Sequence, residues 1–242
     1  MSEKRVKFVN GEIIEYEIRD LVDFYDPILR TPTVPFEFTG TGENLQQSEF
    51  IAYTLAETLG ELQGIGLSAN QIGLPWRVCA LNMGKEIWTL FNPEIIERSE
   101  TLNTEFQEGC LSYPGLYLKI ARPNHIKVKF QAIGGQFVEK EFDGLTAVCV
   151  QHEIDHLDGK VYTDLVSPIK LDQAKRKVKQ NLKKIKRTAL ELQRTQQQEE
   201  KAKKKPSLSN GDSPKIDIKI GAPENVVPQQ KKLPEKFVYS AG

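Results

Sequence analysis

Histidine, cysteine, methionine and tryptophan are all scarce, at three, three, two and two in 242 residues. The three cysteines, Cys79, Cys110 and Cys149, are an odd number. The opening stretch MSEKRVKFVNGEIIEYEIRD lacks the apolar core of a secretory signal and is too acidic for an organelle transit peptide. A disulfide framework is therefore not what holds this chain together. A reducing cytoplasm is the expected compartment, with at least one thiol free for chemistry. No apolar run approaches the ~20 residues that span a bilayer, so no membrane partner is expected. Net charge is also missing, with 33 basic and 33 acidic residues. That balance conceals an asymmetry. Residues 1–169 carry 14 basic and 25 acidic side chains, whereas residues 170–205 carry 14 and 4. An acidic body with a basic arm suits a catalytic part joined to a segment for a polyanionic partner.

The body offers strands and helices in mixed order without repeated βαβ units, which predicts an α+β fold. LQQSEFIAYTLAETLGEL (45–62) has apolar residues at Leu45, Phe50, Tyr53, Leu55 and Leu59, a helical face that Gly60 and Gly64 close. WRVCALNM (76–83) and IWTLFNPEII (87–96) read as strands joined by a turn at NMGKE. HIKVKFQAIGGQFVEKEF (125–142) reads as a hairpin around Gly134-Gly135. LTAVCVQHEIDHLDG (145–159) predicts a helix stopped by Gly159, and the proline-punctuated segment 24–38 is expected to be irregular. Ser167-Pro168 makes a sound helix start. Beyond it, Leu171, Ala174, Val178, Leu182, Ile185 and Ala189 form an apolar stripe among Lys, Arg and Gln. The expected division is a catalytic domain over 1–166, a basic helix over 167–198 and a disordered tail over 199–242.

The chemistry concentrates in CVQHEIDHLDGK, residues 149–160. On a helix, His152 and His156 lie one turn apart and can reach a single ion, while Glu153 is placed to touch water beside it. Two protein ligands are too few for a catalytic site, which takes three plus an open position. Cys110, in the glycine-flanked FQEGCLSYPG (106–115), could supply the third as a thiolate, or could be a small buried hydrophobe. His125 stands alone on a strand-like run and reads as an ordinary strand residue.

A third stretch, GIGLSANQIGLP (64–75), bears on that choice. GIGLSANQ, EGCLS and QHEIDH, in this order, resemble the three signature motifs of peptide deformylase, GxGLAAxQ, EGCLS and HExDH. DPILRTP, the Arg122-Pro123 pair, DGLTA and SPIK extend the resemblance over roughly residues 18–195. It implies antiparallel sheets packed around a central helix that carries HEIDH. It also implies removal of the N-formyl group from nascent polypeptides, with release of formate. Cys110, His152 and His156 are carried over as ligands of one divalent metal ion. Fe(II) is the implied native ion, with Ni, Co or Zn as substitutes. Glu153 is carried over as the acid/base, and Gln71 with the Leu111 backbone N–H as stabilisers of the carbonyl oxygen. Ile65, Phe106, Leu145, Val148 and Cys149 match positions lining the pocket for the methionine side chain. Gly64, Ile65, Gly66 and Gly109 would let an extended peptide approach the backbone. Glu108, Asp155 and Arg122 are expected behind the ligands, orienting an imidazole and pairing with one another.

Two departures stand out. Ser68 replaces the usual alanine, a change expected to be tolerated. Tyr117 stands where many bacterial members have arginine, which places the chain nearer the subgroup with plastid and some phage-encoded members. The basic arm resembles an extended form of the C-terminal helix by which bacterial members engage the ribosome. The expected polyanion is therefore the ribosome and not DNA, and the expected working form is a monomer in the cytoplasm of a bacterium or of a phage's host. Two rivals remain from the residues alone: an HExxH metallopeptidase, which would need neither Cys110 nor GIGLSANQ, and an inactive ribosome-binding homologue. Intact Glu153 and Gln71 speak against the second.

Overall fold

The computed structural model describes residues 3–9 and 11–203. The chain opens with a hairpin, β1 (Glu3–Val9) against β2 (Glu12–Ile18), which the sequence reading did not assign. Its signal was present. Gly11 adopts φ +93° between two runs of alternating apolar residues, the position an Asn-Gly turn demands. Ile14 and Tyr16 of β2 pack on Tyr53 of α1 (Gly42–Leu62). The segment 24–38 is irregular apart from one short 3-10 turn, Pro27–Arg30, capped by the Asp26 side chain.

Helix α1 starts at the Thr41 cap and runs through Gly60, so that glycine does not close it. The stop is Gln63, at φ 52° in the left-handed region. Its buried stripe is Ile51, Leu55 and Leu59 with Ala52 and Ala56, whereas Leu45 from the expected face is exposed. Small residues on that side let the helix sit close to the sheet, a signal that counting only large apolar residues overlooks.

Next come β3 (Gly66–Ser68), the 3-10 turn Ala69–Ile72, β4 (Val78–Asn82) and β5 (Ile87–Arg98). Short pairs follow: β6 (Leu102–Asn103), β7 (Gln107–Cys110), β8 (Tyr113–Lys119) and β9 (Arg122–Pro123). The expected hairpin is β10 (His125–Gln131) with β11 (Phe137–Asp143), and α2 (Gly144–Leu157) follows at once. The main sheet is antiparallel, in the order β11-β10-β5-β4-β3. Two small sheets, β6-β9 and β7-β8, lie outside it.

Both faces of that sheet are covered. On β4, Val78 and Ala80 join the core that holds Leu55 and Leu59 of α1, while Cys79 and Leu81 join the core that holds Val150, Ile154 and Leu157 of α2. The period-two alternation of a strand thus serves two helices, one on each side. Helix α2 touches β3, β4, β9, β10 and β11. This is the α+β arrangement of antiparallel sheets around a central helix that the motifs implied.

Among the described residues the chain divides into two compact units, one ending at Arg176 and the other beginning at Lys177. Helix α3 (Pro168–Lys203) begins in the first unit and continues in the second. The Ser167 hydroxyl accepts from Lys170 N–H (3.4 Å) at its start. The helix outlasts the expected end at 198, because residues 196–203 are Gln, Glu, Lys and Ala, all good helix formers, with no proline before Pro206. The remainder of the expected tail, residues 204–242, lies outside the described residues.

Candidate metal centre and its cavity

Helix α2 presents nearly all its residues to protein, and its C-terminal half delivers three polar side chains to one buried place. His152, Glu153 and His156 are each less than a tenth exposed. Cys110 arrives from the last position of β7, where a register shift lets it pair with Tyr113 at the turn into β8. One donor atom from each of Cys110, His152 and His156 lies within 4.8 Å of the other two. Cys110 Sγ is 3.3 Å from His156 Nε2. Donors so spaced suit one ion bonded at roughly 2.0–2.3 Å.

The surroundings fix the His152 ring. Its Nδ1 lies 3.0 Å from Glu108 Oε2, a carboxylate oxygen that can only accept, so Nδ1 carries a proton. That leaves Nε2 facing Cys110, the nitrogen that could give its lone pair to an ion once it has lost its proton. Glu108 is gripped in turn by Arg122, whose Nε and Nη2 donate to its two oxygens at 2.5 and 2.9 Å. Arg122 Nη1 donates to Asp155 Oδ2 at 2.7 Å. Burial alone would raise the Glu108 carboxyl, but His152 and Arg122 hold it below its ordinary value. Burial opposes the charged form of His152, yet Cys110 and Glu108 beside it push its pKa up to about 10. His156 is pushed down, first by burial and then by the charge of His152.

Glu153 is pushed up to about 7 by burial, with His152 pulling it back. Among the described residues, its Oε2 and His156 Nδ1 are buried without a hydrogen-bond partner. An unpaired carboxylate oxygen beside three ligand-type atoms fits a group that exchanges a proton with water. Gly66 is what lets it stand there, since a Cβ at that position would run into Glu153 Oε1 and lie 2.7 Å from Cys149 Sγ. Gln71 completes the group, donating from Nε2 to Ser112 Oγ (3.1 Å) and Cys110 Sγ (3.5 Å).

Gln71, Cys110, His152 and Glu153 form the floor of a cavity of about 390 Å³. Its walls include Gly64, Ile65, Gly66, Gly109, Leu111, Leu145, Val148 and Cys149, all singled out from the sequence. Burial pushes the Cys149 thiol up, so it lines the wall as a neutral group. Phe106 is not among the lining residues, and Arg122, Asp155 and His156 lie behind it. Gln63, Gln107, Pro114 and Gly115 line the cavity without having been anticipated. Tyr162 was also missed. It is buried, its ring centroid is 5.4 Å from that of His152, and its hydroxyl donates to Leu116 O. Nothing in YTDL distinguishes it from an ordinary core aromatic. His125 is where the bland reading put it, on β10 with its ring on Asp143 at the surface.

A buried Cys/His/His group, with an adjoining carboxylate of raised pKa and an amide donor at the base of an apolar cavity, defines a metal-dependent hydrolase. Comparison with known proteins gives the family. The sequence profile of polypeptide deformylase matches residues 18–172. The peptide deformylase of Bartonella tribocorum is 39% identical over 173 residues, covering 69% of this chain and 94% of its own. That of Mesorhizobium japonicum is 37% identical over 167 residues, covering 67% and 92%. A peptide deformylase structure from Legionella pneumophila superposes with a TM-score of 0.60 at 35% identity, covering 70% of this chain and 97% of that one. One from Synechococcus elongatus, in complex with actinonin, gives 0.58 at 32%, covering 66% and 85%. The chain belongs to the polypeptide deformylase family, and its activity is metal-dependent removal of the N-formyl group from nascent polypeptides.

Proposed function

We propose that Cys110, His152 and His156 hold the metal, with Glu153 as the proton carrier and Gln71 and the Leu111 N–H as donors to the developing oxyanion. The observation that carries this is the buried 4.8 Å cluster of one thiol and two imidazoles, with Cys110, His152 and Glu153 opening onto one cavity and His156 behind them. A soft thiolate with two imidazoles suits Fe(II), Ni, Co or Zn, and the resemblance favours Fe(II) as the native ion. A divalent cation there supplies Lewis acidity, which brings the ionisation of water from about 15.7 to about 7.

Glu153 takes the proton of the attacking water and passes it to the departing amine. A carboxyl poised near neutrality can do both. Gln71 Nε2 and the Leu111 N–H donate to the formyl oxygen as it gains negative charge, which is where preorganised donors act most strongly. Formate and a free N-terminus result.

Ile65, Leu145, Val148 and Cys149 receive the methionine side chain. The peptide backbone runs along β3, an edge strand of the main sheet, where Gly64 and Gly66 keep the approach clear. Arg122, Glu108 and Asp155 hold the His152 ring. In α3, Lys183, Lys184, Lys186 and Arg187 are exposed and engage ribosomal RNA phosphates. The protein acts as a cytoplasmic monomer at the ribosome.

The test is release of formate from formyl-Met peptides by anaerobically purified protein, with metal analysis of the same sample. Formate in proportion to metal content supports the reading. Cleavage of unformylated peptides at internal bonds without formate would make the site a peptidase's and overturn it.

A further inference from the structure

Ser68 is fully buried at the end of β3, and Gln71 beside it is 1% exposed. Both hydrogen-bond donors of Ser68 reach Gln71 Oε1, and the same hydroxyl also lies close enough to Glu153 to hold its carboxyl down a little. The Ser68 backbone N–H and Oγ each donate to Gln71 Oε1 at 2.9 Å. A carbonyl oxygen has two lone pairs, and here both are occupied. The N–H alone fixes which end of the amide is oxygen but gives that oxygen a single anchor, against the weaker hold of Ser112 and Cys110 at the nitrogen end. The hydroxyl adds the second anchor and holds the plane. The NH2 end then points to Ser112 Oγ and Cys110 Sγ, at the base of the cavity. We propose that Ser68 is a positioning residue whose hydroxyl holds the Gln71 amide with its donor face turned into the reaction site.

The inference rests on the role given to Gln71 above. A donor aimed before the reaction begins stabilises charge without reorganising, so losing the anchor slows the chemical step and leaves binding almost unchanged. Ser68→Ala removes one hydroxyl from a fully buried position. Its kcat should fall about five- to tenfold, with KM changed less than about twofold and metal content unchanged. Gln71→Ala should cost about 100-fold, the scale of one oxyanion donor. The two losses should not add: in a Gln71→Ala background, Ser68→Ala should cost less than about a further twofold. In the zinc-loaded protein, the Gln71 side-chain amide protons should exchange with solvent about tenfold faster or more after Ser68→Ala, a readout independent of turnover.

An unchanged kcat in Ser68→Ala, an equal loss in the Gln71→Ala background, or unchanged amide exchange would each overturn the inference. Wild-type turnover in Gln71→Ala is a different failure, because it removes the role of Gln71 itself.

Discussion

Helices α2 and α3 both carry an apolar stripe, and they meet opposite fates. In α2, Val150, Ile154 and Leu157 enter the core, and the polar residues between them, His152, Glu153 and His156, are buried too. In α3, Leu182 and Ile185 stay more than half exposed, along with the lysines around them. A stripe therefore does not say whether a helix is covered. What separates them is the background: α2 has few charges beyond its reactive group, whereas α3 is lysine-rich along its length. Burying the polar face of α2 leaves each polar group either paired, as His152 Nδ1 is with Glu108, or unpaired, as Glu153 Oε2 is, and both conditions specify chemistry. The charges of α3 stay in water and specify only the sign of what they meet.

Substitutions in the two helices and their surroundings can break that contrast. The largest effect is expected from Cys110→Ala, which removes the thiolate among the three donors. It should release the metal and abolish turnover, whereas Cys79→Ala should leave metal bound. Metal analysis decides, and a requirement for Cys79 in place of Cys110 would contradict the assignment. Glu153→Gln should keep metal near the wild-type level while turnover falls at least ~100-fold, measured as formate release.

Ile154→Ala and Ile185→Ala make the same substitution on each helix. The first empties a buried position and should destabilise the body by about 2–5 kcal/mol in denaturant unfolding. The second, at a position 64% exposed, should change stability by less than about 0.5 kcal/mol. Equal losses would mean that something covers α3. Replacing Lys183, Lys184, Lys186 and Arg187 with glutamine should leave hydrolysis of short peptides unchanged and reduce ribosome pelleting. It should also flatten the salt dependence of pelleting, by up to ~0.7–0.9 in slope for each phosphate no longer neutralised. Unchanged pelleting at low salt would leave α3 a solvated helix.

The legible parts of the site were those where chemistry constrains residue type. The i, i+4 histidine pair with its glutamate was readable because a helix puts them on one face. Gly66 was readable because the backbone must come close to other groups there. Cys110 by itself was ambiguous, since a ligand and a buried hydrophobe look the same in one sequence, and only the neighbouring motifs favoured the ligand. Ser68 read only as a tolerated replacement of alanine, because its bond to Gln71 depends on a 3-10 turn that no periodicity announces. Phe106 and Tyr162 show the same limit from both sides. Neither residue type nor spacing says which aromatic reaches a cavity or a ring. The N-terminal hairpin is legible at Gly11, but the charges crowded along both its strands obscure the apolar alternation beneath them.

If Cys110, His152 and His156 hold the metal, one thiolate and two imidazoles share a single ion. X-ray absorption at the metal edge of the loaded protein tests it directly. One sulfur and two imidazole nitrogens are expected in the coordination shell, with the sulfur lost in Cys110→Ala. A shell of nitrogen and oxygen alone would contradict that assignment.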